Sequence, residues 1–179
     1  MAYRLLALDV DGTLVDRSLK LSPRTRQAVR RAIDAGVHVT LASGRQFHQV
    51  EVFARELGIG EPLICNQGAI VMAPGETRPL YECAVPRPVA NDFMAFVQSQ
   101  GWDLCVYGRE HLYAHGMTPE VQVLLDLAPA GETIHWLSEL DDSTELIQLL
   151  VIVQPERTAL VERLLKERFG GQLNIVQSF

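Results

Sequence analysis

Leu5-Leu6-Ala7-Leu8-Asp9-Val10-Asp11-Gly12-Thr13-Leu14 is the stretch on which the reading of this chain turns. Its apolar lead-in, Leu5 to Val10, has the pattern of a strand buried on both faces, as in a parallel sheet. Gly12 permits a tight turn after it, and Thr13 can fix that turn by local hydrogen bonding. An acid set directly behind a buried strand is costly unless something nearby favours negative charge. Two carboxylates two positions apart in an irregular turn can converge on one point, and a hard cation such as Mg²⁺ is their natural partner. With a metal bound, Asp9 can attack phosphorus as a carboxylate nucleophile, and Asp11 can protonate the leaving oxygen and later activate water. The plainer alternative is that Asp9 and Asp11 merely end a strand and cap a turn.

Outward from this stretch, strands and helices alternate. Ser22-Pro23 marks a helix start, with Ser22 as N-cap and Pro23 at the first helical position. Ala28, Val29, Ala32 and Ile33 recur at helical spacing, and Gly36 stops the helix. Val37 to Ala42 reads as a second strand. Ser43-Gly44 then turns the chain into a helix with an apolar stripe of Val50, Phe53, Ala54 and Leu57 before Gly58. Leu63 to Cys65 is a third, short strand. Strand–helix–strand–helix–strand at this spacing implies parallel pairing with right-handed crossovers, half of a doubly wound α/β sheet. Ligands of such sheets sit beyond the carboxyl ends of the strands, where Asp9, Asp11, Ser43 and Asn66 all fall.

After Asn66-Gln67-Gly68 the texture changes. Ala69 to Met72 and Pro79 to Cys83 read as a hairpin around Pro74-Gly75. Pro86 and Pro88 precede a helix with Val89, Phe93, Phe96 and Val97 on one face. Asp103 to Tyr107 and His111 to His115 form a second hairpin turning at Gly108. Thr118-Pro119-Glu120 opens a helix running to about Ala128. Leu146 to Val153 is a strand, Pro155 to Phe169 a helix, and Leu173 to Gln177 a closing strand. These expectations divide the chain into residues 1–82, an α/β portion, and residues 83–179, an α+β portion.

Three segments together resemble a known family. Asp9-Val10-Asp11-Gly12-Thr13-Leu14 resembles the first signature motif of the haloacid dehalogenase superfamily, and Leu41-Ala42-Ser43-Gly44-Arg45 its second. Ile64-Cys65-Asn66-Gln67-Gly68-Ala69 is similar to a segment typical of the Cof-type branch. The resemblance implies a partial Rossmann-like parallel-sheet core, residues 1–82, and an inserted α+β cap domain, residues 83–179. It places the nucleophile and a Mg²⁺ ligand at Asp9, and the general acid/base at Asp11, whose backbone carbonyl also binds the metal. It assigns Ser43, with Gly44 and Val10, to the transferring phosphoryl group.

On the residues themselves, Ser43 suits either a helix N-cap or a phosphate contact at a strand end followed by a helix. Arg45 reads either as a substrate contact or as an exposed arginine of the first helical turn. Asn66 either orients the site or stabilises its own turn.

Composition narrows the partners. Among 179 residues, 47% are apolar and 21% charged, inside the range of ordinary globular domains. The formal net charge of −6 argues against a nucleic-acid partner. Arg24, Arg26, Arg30 and Arg31 are spread by helical spacing around an outer, solvated face. Cys65, Cys83 and Cys105 show no CxxC pairing, which fits reduced thiols in a cytoplasmic protein. No apolar run approaches the ~20 residues of a membrane span. His111 and His115 stand too far apart in a strand to chelate one metal.

Two motifs that the superfamily places after its cap, a lysine near the nucleophile and a later acidic pair, have no counterpart. Lys20 and Lys166 are the only lysines, and neither stands in the expected context. The expectation is therefore an incomplete form of a phosphatase for a small phosphomonoester, inactive or weakly active alone. Its first strand would be left as an unpaired apolar edge, with self-association through the incomplete sheet as one outcome. A non-catalytic phosphate-binding or regulatory protein is the alternative. A receiver-type phosphoacceptor wants its aspartate where Cys65 and Asn66 stand, and a P-loop enzyme wants a GxxxxGK[ST] string that does not occur.

Overall fold

A computed structural model describes residues 3–16, 19–109, 111–126 and 133–177. The chain divides into two compact units, Met1–Cys83 and Ala84–Phe179.

In the first unit, strand β1 (Leu5–Leu8) runs parallel to β2 (His38–Leu41), with Leu5 opposite His38 and Leu8 opposite Leu41. The helix between them, α1 (Pro23–Asp34), starts as expected: the Ser22 hydroxyl accepts from the Thr25 amide at 3.0 Å, and Pro23 occupies the first turn. The chain turns out of it at Gly36, whose φ of 80° suits glycine. Helix α2 (Phe47–Leu57) leads to β3 (Leu63–Cys65), and a parallel bridge between Ala42 and Ile64 links β2 to β3. Val50, Phe53, Ala54 and Leu57 are buried, so the stripe read from the sequence is the face α2 turns inward. Strands β4 (Ile70–Met72) and β5 (Tyr81–Glu82) follow as an antiparallel hairpin on β3.

The opening strand departs from the expectation in length and burial. It ends at Leu8, and it is not buried on both faces: Leu5 is 61% and Leu6 38% exposed. The reason is topological. Among the described residues β1 has a neighbour only on the β2 side, so one edge and much of its surface stay open. Helix α1 shares the exposure, with Val29 as its one buried residue and Ala28 exposed. Between them lies an apolar groove of 320 Å³ lined by Leu6, Leu8, Leu14, Ala28 and Val29.

The second unit is built on a four-stranded sheet in the order β8 (Ile134–Trp136), β7 (Leu112–Ala114), β6 (Asp103–Gly108), β9 (Leu146–Ile152). Strand β6 forms the expected hairpin with β7 and pairs antiparallel with β9 on its other side. Helices α3 (Arg87–Ser99) and α5 (Thr158–Phe169) cover one face, enclosing Ala90, Phe93, Val97, Trp102, Leu104, Val106, Val161, Leu165 and Phe169. Phe93 and Phe96 meet Phe169 with ring centroids 5.0 and 5.8 Å apart. Helix α4 (Pro119–Asp126) puts Val121 on the other face with Cys105, Leu112 and Ala114. Its expected end near Ala128 lies outside the described residues.

Two readings fail in this unit. Strand β8 (Ile134–Trp136), parallel to β7, was not anticipated; three residues are too few to show a period. Leu173 to Gln177 is not a strand. Leu173 and Ile175 turn their side chains onto the helix-covered core, while the Leu173 amide bonds back to the Phe169 carbonyl at 2.8 Å. Burial of alternate apolar residues explains the misleading pattern; among the described residues the backbone there pairs with no strand.

Candidate active site

The candidate residues of the first unit lie where its three parallel strands end. The Ala42 amide donates to the Leu8 carbonyl at 2.8 Å, and the Ser43 amide to the Ile64 carbonyl at 2.9 Å. These bonds carry the register past the strands, so the loops bearing Asp9, Ser43 and Asn66 leave the sheet side by side.

The first loop is a compact turn. The Val10 carbonyl accepts from the amides of Leu14 and Val15, both at 3.0 Å, and the Val10 side chain is wholly buried. Any contact between Val10 and a phosphate is therefore left to its amide. Gly12 has φ 73° and donates to the Val15 carbonyl at 2.9 Å, a conformation that disfavours a side chain. The turn holds Asp9 and Asp11 exposed. The Thr13 hydroxyl donates to Asp9 Oδ2 at 3.1 Å, the local bond expected of that threonine.

Arg45 crosses from the second loop to the first. Its Nε and Nη2 donate to Asp11 Oδ2 and Oδ1 at 2.8 and 2.7 Å, a two-point pair of fork and carboxylate. Its side chain is only 14% exposed, against 51% for that of Asp11. The hydrogen bond that Arg45 donates to Asp11, with the charge of that carboxylate, raises the Arg45 pKa against the opposing effect of burial. The exposed first-turn arginine is thus overturned, for Arg45 precedes the helix and is largely covered.

Ser43 likewise is not a helix cap. Gln46 holds the N-cap position of α2, and Ser43 is buried, its Oγ accepting from the Arg45 amide at 3.2 Å. The loop of residues 43–46 separates it from the helix, so the helix N-terminus is further from Ser43 than the Ser-Gly pair implied.

The third loop braces the second. The Asn66 amide donates to the Arg45 carbonyl at 2.9 Å, and that of Gln67 to the Ser43 carbonyl at 3.3 Å. Asn66 is buried, and both Asn66 (φ 50°) and Gln67 (φ 55°) are left-handed. Asparagine tolerates that region better than glutamine, so Gln67 is the more strained of the two. The Gln67 side chain lies over Gly44: a Cβ there would stand 2.4 Å from Gln67 Nε2, so a larger residue would have to displace the end of that side chain. The sequence reading missed both the Arg45–Asp11 pair and Gln67. For the first, the only signal was an acid and an arginine in the loops after adjacent strands.

Among the described residues no three His, Cys, Asp or Glu side chains group as a metal cluster. The Asp9 carboxylate is the exposed oxygen donor of the first loop, while both carboxylate oxygens of Asp11 are engaged by Arg45. Cys65 sits wholly buried at the end of β3, and burial pushes its thiol up to about 12, which suits packing and not nucleophilic chemistry.

The family model of the haloacid dehalogenase-like hydrolases matches residues 6–179. The chain belongs to that family, in its Cof-type branch. HMP-PP phosphatase of Yersinia pestis is 34% identical over 100 residues, 56% of this chain and 35% of that protein. The 5-amino-6-(5-phospho-D-ribitylamino)uracil phosphatase YwtE of Bacillus subtilis is 35% identical over 68 residues, 38% of this chain and 23% of that protein. The match thus spans well under two thirds of the length of these curated relatives. Among solved structures, a protein of Thermotoga maritima superposes with a TM-score of 0.79 at 26% identity, over 99% of this chain and 67% of that one. A haloacid dehalogenase-like hydrolase of Bacteroides thetaiotaomicron gives 0.81 at 23% identity, over 99% and 68%, and supports the fold.

Proposed function

We propose that this chain carries the nucleophile-bearing part of a Mg²⁺-dependent phosphomonoester hydrolase for a small phosphorylated metabolite. The observation that carries the reading is the placement of Asp9 and Asp11 at the carboxyl end of β1, beside Ser43 at the end of the adjacent parallel strand. Family membership and two phosphatase relatives support it.

In this reading an oxygen of Asp9 attacks phosphorus and the ester oxygen leaves, taking a proton from the Asp11 carboxyl. The product is an aspartyl phosphate on Asp9. Water then attacks that phosphorus, giving its proton back to Asp11 and releasing inorganic phosphate and free Asp9. Ser43 and the backbone of the Ser43-Gly44 loop hold the phosphoryl oxygens, with the Val10 amide, and Asn66 holds the loop in place. The donor set suits Mg²⁺, which binds through one or two carboxylates and keeps waters and phosphate oxygens for its other positions. The Asp9 carboxylate and the Asp11 main-chain carbonyl would hold it, since Arg45 occupies the Asp11 carboxylate. When bound, the ion neutralises charge on the phosphoryl group and eases the approach of an anionic nucleophile. In this reading the second unit is the counterpart of the family's inserted cap domain.

The test is hydrolysis of p-nitrophenyl phosphate with and without Mg²⁺, in this chain and in any longer natural form. Asp9→Asn is expected to lower the rate by about a thousandfold or more in whichever form turns over, since the nucleophile is lost. Undiminished turnover by Asp9→Asn would sink the proposal. A second reading, phosphate binding without turnover, is favoured by one observation: both oxygens of Asp11 are engaged by Arg45. Phosphate binding in every form, with no hydrolysis of a broad phosphomonoester panel, would select it.

A further inference from the structure

We propose that Arg45 is an anion-exchanged latch on Asp11: it holds that carboxylate by both oxygens until a phosphoryl group displaces it. The inference rests on the phosphatase reading for the identity of the anion, and on the geometry of the loops for the exchange.

Asp11 cannot deliver a proton to a leaving group while its two oxygens accept from Nε and Nη2 of one guanidinium at 2.8 and 2.7 Å. Something must take Arg45 away. The main chain of Arg45 is not what moves: its amide is held by Ser43 Oγ and its carbonyl by the Asn66 amide. The side chain, with several rotatable bonds, is the mobile part. A guanidinium fork matches a phosphoryl group as well as it matches a carboxylate. Ser43, the residue assigned to the phosphoryl group, is two positions before Arg45 and bonded to it, so a phosphate held there arrives beside the fork.

The geometry favours the exchange. The carboxylate end of the pair is half-exposed, so water can take up the Asp11 oxygens as the fork leaves. A phosphoryl dianion carries more charge than the carboxylate it replaces and presents several acceptors to the same fork. Arg45 thereby serves as a positioning residue twice, first for Asp11 and then for the phosphoryl group. Before phosphate arrives, both oxygens of Asp11 are engaged by the fork; afterwards Asp11 is free to act.

The experiment reads binding, so it does not depend on turnover. The probe is inorganic phosphate, titrated into the full chain and into Asp11→Asn, Arg45→Ala and the double variant, without added metal. The Arg45 Nε–Hε NMR signal, assigned by its disappearance in Arg45→Lys, follows the fork itself. The latch predicts that phosphate shifts this signal, and that Asp11→Asn tightens phosphate binding about fivefold by removing the competitor. In the Arg45→Ala background the same change should have little effect. Equal tightening in both backgrounds would mean simple charge removal and would overturn the latch, as would an Nε–Hε signal indifferent to saturating phosphate. Failure to bind phosphate in all four proteins overturns it as well. A failed latch with hydrolysis still lost in Asp9→Asn leaves the phosphatase reading standing, so the two failures are distinguishable.

Discussion

The two units make their cores in different ways. In the second, α3 and α5 close over one face of a four-stranded sheet, and the aromatic rings of Phe93, Phe96 and Phe169 lock the layers together. In the first, β1 has a neighbour on one side only among the described residues, α1 buries little beyond Val29, and a groove is left between them. Backbone strain follows the same division: among the described residues, the non-glycine residues with positive φ are Leu19, Asn66 and Gln67, all in the first unit. The unit that carries the candidate chemistry is the one with the open edge and the strained loops. Sites built where strands end need backbone that is held in place but not spent on its own packing, and low local stability is the physical consequence.

That contrast can be broken by truncating each core. Phe169→Ala, removing a wholly buried ring that touches two others, is expected to cost ~3–5 kcal/mol in urea unfolding followed by the fluorescence of Trp102 and Trp136, both in the second unit. A loss below ~1 kcal/mol would show that the second unit is not the tighter one. Thiol exchange gives an internal comparison without mutation. Cys65 and Cys105 are both wholly buried, and burial pushes both thiols up to about 12, with Asp103 adding to the effect on Cys105. Exposed Cys83 should be labelled first by a disulfide reagent at neutral pH. Cys65 should follow about tenfold faster than Cys105 if the first unit opens more readily. Equal rates for the two would sink the difference in local stability.

Smaller effects sharpen the picture. Leu6→Ala on β1 is expected to cost under ~1 kcal/mol, because the side chain is already 38% exposed. Leu6→Lys should leave stability similar and reduce concentration-dependent association in sedimentation, as charges do on open strand edges. Smallest of all, Gln67→Gly should relieve the left-handed strain and change stability by ~0.5–1 kcal/mol in the stabilising direction, less the added freedom of the unfolded chain. A clear destabilisation would show that the Gln67 side chain over Gly44 contributes more than its backbone costs.

Much of the site was legible because it is local. The apolar lead-in and the turn residues located Asp9, Asp11 and Gly12, and the strand–helix alternation put Ser43 and Asn66 at the same end of the sheet. The errors arose where a local pattern had more than one structural cause. Ser43 reads as a cap or a phosphate contact, and the cap fails because its Oγ accepts from the Arg45 amide in the bent loop before the helix. Leu173 to Gln177 reads as a strand because its apolar residues alternate, yet side-chain burial alone produces that alternation.

The sequence by itself determined the order of elements in most of the chain, the parallel α/β character of its first part, the acids at the end of the opening strand, and membership of a phosphatase-rich family. Periodicity, turn chemistry and short motifs are properties of neighbouring residues, and they survive in a single line of text. Only the tertiary structure decided that β8 runs beside β7, that Asn66 and Gln67 are left-handed, and that Arg45 grips Asp11. Each of these depends on which surfaces and charges meet across the fold, and 34 residues separate Asp11 from Arg45 along the chain.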